Sequence, residues 1–195
     1  MSARSSRTWP PPQTELLFLV SGFLDRHHSG EDKHIWPRLR QRCPEKCAPI
    51  VEVMEDQHHA IHICLLQVNE AAKAWRQSAS ADTRDALAGA LDRLLPVTTE
   101  HLALEEERVV PLIEKYITQA EYAPVAQEQA ADAPPDKLPT LFGMFMYEAD
   151  PAVIDMVVAE LPAEVQPVIK DLGAAAYANY AKELYGTATP PPVTG

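Results

Sequence analysis

Two fragments of this chain repeat one order of imidazole and carboxylate side chains. His27 is followed by Glu31, Asp32 and Pro37, and His101 by Glu105, Glu106 and Pro111. In both, an acid stands four residues after the histidine and a proline stands ten after it. Between them lies His58-His59-Ala60-Ile61-His62, which sets two histidines at the same spacing of four. Residues four apart on a helix share a face and lie about 5–6 Å apart. A ring nitrogen and a carboxylate oxygen at that spacing can reach one metal ion.

Helical wheels place these groups among apolar residues. Leu16, Val20, Leu24, His27 and Glu31 fall in one stripe, with His34 close to it. Ile50, Met54, His58, Ile61 and Leu65 fall in another, with His62 at its edge and His59 outside. His101, Glu105 and Leu112 share a third face with Thr98, and Glu106 lies to the side. A buried ionised carboxylate is costly unless it is paired or bound to a metal. Arg108 is the one basic residue near the inward positions. Four histidines (His27, His58, His62 and His101) and two glutamates (Glu31 and Glu105) therefore read as ligands of a metal pair. Imidazole suits Fe, Zn, Cu and Ni, and carboxylates can bridge two hard ions. His28 and His59 read as surface or supporting residues. His34, Asp32 and Glu106 read as partners that orient ligands.

The elements that must position these groups are helical. No stretch alternates as a half-buried strand does, so the fold class is all-α. Helix one is expected over 14–36, with Thr14 as its N-cap, and Pro37 breaks it. Cys43 to Pro49 reads as a loop. Helix two follows over 50–78 and helix three over 81–116, the latter kinked at Pro96. A short helix is expected over 118–131, an apolar segment over 138–147, and two further helices over 151–160 and 162–185. The domain reading is an extended proline-rich arm at 1–13, metal-binding helices at 14–117, a helical extension at 118–185 and a mobile tail at 186–195.

Bulk composition excludes several classes. The net charge is −11 over 195 residues. An acidic chain without a Lys/Arg cluster is unsuited to nucleic acid or to anionic membrane surfaces. No segment is long enough to span a bilayer. Leu16 to Leu24 is apolar, but it is bracketed by Glu15 and Asp25 and lacks a small-residue cleavage site, so it reads as a buried helix rather than a signal peptide. Three cysteines are an odd number, which argues against a disulfide framework and for a reducing cytoplasm. Cys43 and Cys47 form a C-x-x-x-C, not the thioredoxin-like C-x-x-C. There is no Ser/His/Asp or Cys/His arrangement of nucleophilic catalysis and no Gly-rich phosphate loop.

The ferritin-like di-iron pattern puts glutamate first, at spacing three. Here histidine comes first, at spacing four. That order resembles the hemerythrin-like (HHE cation-binding) family in its bacterial branch, through His27 with Glu31, His58 with His62, and His101 with Glu105 or Glu106. The resemblance covers about residues 14–116. It implies an up-down helical bundle around an oxo-bridged di-iron centre that binds O2, NO or peroxide, reacts with them or senses them. His27, His58, His62 and His101 would be iron ligands, and Glu31 and Glu105 the bridges. The family's spacing of five would choose Glu106 instead, but the wheel favours Glu105. The family normally has an earlier helix with one more histidine, and no histidine precedes His27. The exposed groove this leaves predicts a homodimer or cover from residues 138–185. The alternative reading is a helical regulatory module in which metal is structural, or a degenerate bundle without it.

Overall fold

The computed structural model describes residues 12–131, 134–159 and 161–191. Every regular element among them is helical. The chain divides into two compact units, 1–132 and 133–195. No helix among the described residues is long and apolar enough to cross a membrane.

In the first unit, α1 (Pro12–His34) and α2 (Trp36–Arg42) are separated by Ile35. Then come α3 (Pro44–Ser78) and α4 (Ala81–Leu104). A π-helical segment, Glu105–Val109, leads into α5 (Val110–Tyr116), and α6 (Gln119–Ala131) completes the unit. Most of the proline-rich arm expected at 1–13 lies outside the described residues. Thr14 is buried inside α1 rather than capping it, since the helix begins at Pro12.

The expected loop at 43–49 is helix. Pro44 occupies the first turn of α3, where a missing N–H costs nothing, and the helix continues through Pro49. At the other end, Ala79 turns left-handed and closes α3. Ser80 then opens α4 with a reciprocal cap: its hydroxyl accepts the Thr83 N–H, and the Thr83 hydroxyl accepts the Ser80 N–H, both at 3.2 Å. The short turn makes α3 and α4 antiparallel neighbours.

The two repeated prolines act alike. Each lacks the N–H that an α-helix needs, and its ring crowds the carbonyl four residues back. After Glu31 the helix breaks at Ile35; after Glu105 it widens to π, with the Val110 N–H bonded to the Glu105 carbonyl.

Two apolar clusters frame the unit. One gathers Ile35, Trp36, Leu39, Cys43, Cys47, Val51, Met54, Val109, Ile117 and Val125. The other joins Val68, Ala72, Leu87 and Ala90, with Leu17 and Phe18 against them. Along α3, His58 lies between Met54 and Val68, so the polar residues form a layer between two hydrophobic ones.

Helix α6 packs on α1 and falls within the first unit, whereas the sequence reading began an extension at 118. Val125 is buried against Gly30, where a Cβ would come within 2.9 Å of Val125 Cγ1. Glu128 accepts from Lys33 Nζ (2.6 Å) and pairs with His34 Nε2 (3.1 Å). Glu121 holds the Arg42 guanidinium in a bidentate pair.

The second unit comprises α7 (Leu138–Glu148), α8 (Pro151–Ala159) and α9 (Gln166–Tyr185). Helices α7 and α9 cross at Gly143 and Gly173; a Cβ on Gly143 would overlap the Gly173 carbonyl oxygen at 2.1 Å. The expected mobile tail is bound as far as it is described: the Tyr147 hydroxyl donates to the Pro190 carbonyl. Residues 192–195 lie outside the described set.

Candidate metal centre

Three helices bring ring nitrogens and carboxylates together in the polar layer. His28 from α1, His58 from α3 and His101 from α4 each offer one nitrogen, all within 4.8 Å of one another. Their rings pack tightly. His28 stacks on His58 at 4.1 Å between centroids, and His101 meets both edge-on at 4.9 Å. A second group, His27, Glu31 and Glu105, has ligand atoms within the same limit of 4.8 Å.

Glu31 touches both groups. Its Oε1 lies 3.6 Å from His27 Nε2, and its Oε2 lies 3.6 Å from His58 Nε2. Glu105 Oε2 lies 3.6 Å from His101 Nε2. These separations are long for hydrogen bonds. Two ligands at about 2.1 Å from one ion stand at most about 4.2 Å apart, so each separation fits shared coordination.

The outer nitrogens are already engaged. His58 donates its Nδ1–H to Asp32 Oδ1 at 2.8 Å, and His101 donates its Nδ1–H to Gln57 Oε1 at 3.2 Å. These bonds fix the tautomer and leave each Nε2 as a lone-pair donor facing inward.

The inward atoms have no protein partner. His28 Nε2, His58 Nε2, His101 Nε2 and both Glu31 oxygens are buried without a hydrogen bond. An unsatisfied buried polar group costs about 1–3 kcal/mol. Five together approach the whole stability of a small domain, about 5–15 kcal/mol. A cation among them removes that cost, because every one of these atoms can donate an electron pair. The donor set therefore fits a metal.

Electrostatics agree. Burial lowers His28 to about 2 and His101 to about 4, with neighbouring imidazoles adding to the effect. The same burial lowers His27. All three rings are therefore neutral at neutral pH. Burial raises Glu31 to about 9, reinforced by the Glu105 charge, so its carboxyl is protonated there until a cation compensates it.

The sequence reading and the geometry part at two histidines. His62 lies outside the cluster: its side chain is half exposed, and its Nδ1 pairs with Asp25 Oδ1 at 2.9 Å. Residue 62 is one turn beyond 58, but α3 faces α1 and α4 along 51, 54, 58, 61, 65 and 68. His28, read as a supporting residue, is buried in the cluster. The α1 wheel centred on Leu16, Val20 and His27, yet Val20 is exposed and the buried line runs through Thr14, Ser21, His28 and Ile35. The seven-residue spacing of Thr14, Ser21, His28 and Ile35 was the available signal. His27 keeps its place at the centre, half-buried and stacked on Phe23.

The remaining assignments divide by exposure. Glu31, His58, His101 and Glu105 are buried in the layer. Glu106 and His59 are exposed. Asp32 orients the His58 ring, whereas His34 reaches away to Glu128. Thr98 Oγ1, three residues before His101, is a further buried oxygen without a partner.

In comparison with known proteins, the model of the hemerythrin HHE cation-binding domain matches residues 10–113. That span includes α1 to α4, the π segment and every residue of the two ligand groups. No curated protein and no solved structure matches the chain.

Proposed function

This chain belongs to the hemerythrin HHE cation-binding family, and from that premise we propose that the polar layer holds two iron ions and binds or turns over O2, NO or a peroxide. The observation that carries the reading is the convergence of five buried donor atoms with no protein partner. His28, His58 and His101 would hold one ion, and His27 with Glu105 the other. Glu31 would bridge them, since its two oxygens face the two groups separately.

Iron supplies an open coordination position and a change of oxidation state. The protein supplies the rest. Asp32 and Gln57 hold two imidazoles in the ligating tautomer. The apolar clusters on either side exclude water and keep charge interactions strong. Glu31 and Glu105 would neutralise the cations, and Glu31, held protonated by burial, would give up its proton as they bind.

The test is metal content per chain on aerobically purified protein, with an optical spectrum of the same sample. About two irons with near-ultraviolet absorption that responds to added peroxide or NO is the expected result. Full helicity without metal would sink the proposal and leave the regulatory-module reading.

A further inference from the structure

Two cysteines stand at the start of α3, outside the two groups of potential metal ligands. Cys43 is the N-cap of α3, and Cys47 stands one turn in, its N–H bonded to the Cys43 carbonyl at 2.7 Å. Both sit in one buried cluster, with Tyr116 at the end of α5 packed against it. Both are free thiols. Neither belongs to a group of three potential metal ligands among the described residues, so a zinc site is not indicated.

We propose that Cys43 and Cys47 are a peroxide-responsive dithiol, with Cys43 attacked first and Cys47 closing the disulfide. Three features assign the order. Cys43 keeps 9% of its surface exposed, whereas Cys47 has none. Cys43 lies at the N-terminal end of a 35-residue helix, where the helix dipole favours a thiolate. Consistent with this, the Tyr116 and Cys47 side chains hold the Cys43 thiol below its usual range, and burial pushes Cys47 up to about 11.

The chemistry balances with hydrogen peroxide as oxidant. The Cys43 sulfur takes one peroxide oxygen as the O–O bond breaks, giving a sulfenic acid, and the other oxygen leaves as water. The Cys47 sulfur then attacks the sulfenic sulfur. The S–O bond breaks, the hydroxyl leaves with the Cys47 proton as a second water, and the S–S bond forms. Two thiols lose two electrons and one peroxide becomes two waters.

Closure needs the Cβ atoms to approach from about 5–6 Å, one turn apart, to about 4 Å. Cys43 can make that movement because its backbone (φ −143, ψ 55) already lies outside the helix.

The experiment treats the reduced full chain, as a Cys64→Ser variant, with hydrogen peroxide, with and without a chelator. Alkylation and peptide mass spectrometry then count thiols. The expected result is loss of both remaining alkylatable thiols together, with two hydrogens missing from the segment that carries Cys43 and Cys47. It should be independent of chelation. Cys47→Ser should stop at a sulfenic acid on Cys43, trapped by a cyclic dione; Cys43→Ser should leave Cys47 alkylatable. Retained thiols in the parent chain, a dione adduct on Cys47 instead of Cys43, or oxidation only when metal is present would each overturn the proposal.

Discussion

Asp32 accepts the Nδ1–H of His58 at 2.8 Å, and the opposite ring nitrogen of His58 then faces Glu31 at 3.6 Å. One half-exposed carboxylate on α1 thus decides which nitrogen of an α3 histidine is offered to the centre. It follows Glu31 directly, so one turn of α1 supplies both the carboxylate that faces His58 and the one that aims its ring. Asp32→Ala should lower metal affinity about 10–100-fold, the usual effect of losing an orienting partner. His58→Ala should abolish binding at that group. Competition titration against a chelator of known affinity separates the two. Equal affinity in Asp32→Ala and the parent would show that the bond is incidental.

His28 and His62 should behave oppositely. His28→Ala removes a buried ring from the three-histidine group and should halve the metal content or worse. His62→Ala breaks only an exposed pair with Asp25, worth about 0–1 kcal/mol, and should leave metal content unchanged. Elemental analysis of the two variants decides it. Metal lost from His62→Ala alone would restore the ligand set read from sequence.

Glu105 and Glu106 are adjacent, but the π segment that begins at Glu105 turns only the first inward. Glu105→Gln should disturb the optical spectrum and metal stoichiometry. Glu106→Gln, at an exposed position, should match the parent. The reverse pattern would mean that the widened turn shifts when metal binds.

Metal-free protein should be most stable near neutrality. Burial lowers His27, His28 and His101 from 6.5, so their contribution is present above about pH 6.5 and is lost as pH falls toward their folded values. Glu31 moves the other way. Raised from 4.5 to about 9, its contribution is present at low pH and is lost as pH rises from about 4.5 to 9. Three histidines outweigh one carboxyl on the acid side, and the carboxyl alone acts on the alkaline side, so the maximum falls at about pH 6.5–7. Thermal melts of chelated protein from pH 5 to 9 test this. A Tm still rising from pH 7 to 9 would exclude a protonated Glu31. Metal uptake should release that proton, so apparent affinity should rise with pH over the same range.

Gly30→Ala should loosen α6. Its Cβ would approach Val125 Cγ1 to 2.9 Å, and Val125 is a stiff β-branched residue with 1% of its surface exposed. Overpacking of this kind costs about 1–3 kcal/mol. The expected readouts are a lower Tm and faster amide exchange in 119–131 than in α3. An unchanged Tm would mean that α6 contributes little to the unit.

The sequence by itself determined the helical class and most of the centre's composition. Histidine and acid at spacing four are legible because the α-helix has a fixed period, and α3 carries an uninterrupted apolar stripe that places Met54, His58, Ile61 and Leu65 inward. Pro37 was likewise legible as a break, because a missing N–H acts locally; at Pro111 the sequence showed only the repeat, and the widened turn before it was not read. The inward face of α1 was not. A wheel shows which residues share a face but not where the neighbouring helices stand, and only packing against α3 and α6 turned His28 in and left Val20 out. His62 misled for a related reason: spacing of four was met, but the α3–α1 contact covers residue 58 and leaves 62 beside Asp25. The π segment and the docking of α6 on Gly30 depend on where a carbonyl finds space and where a side chain is missing. Periodicity is a property of one helix. The meeting of Glu31 with His27 on one side and His58 on the other is a property of two, and it exists only once they are packed.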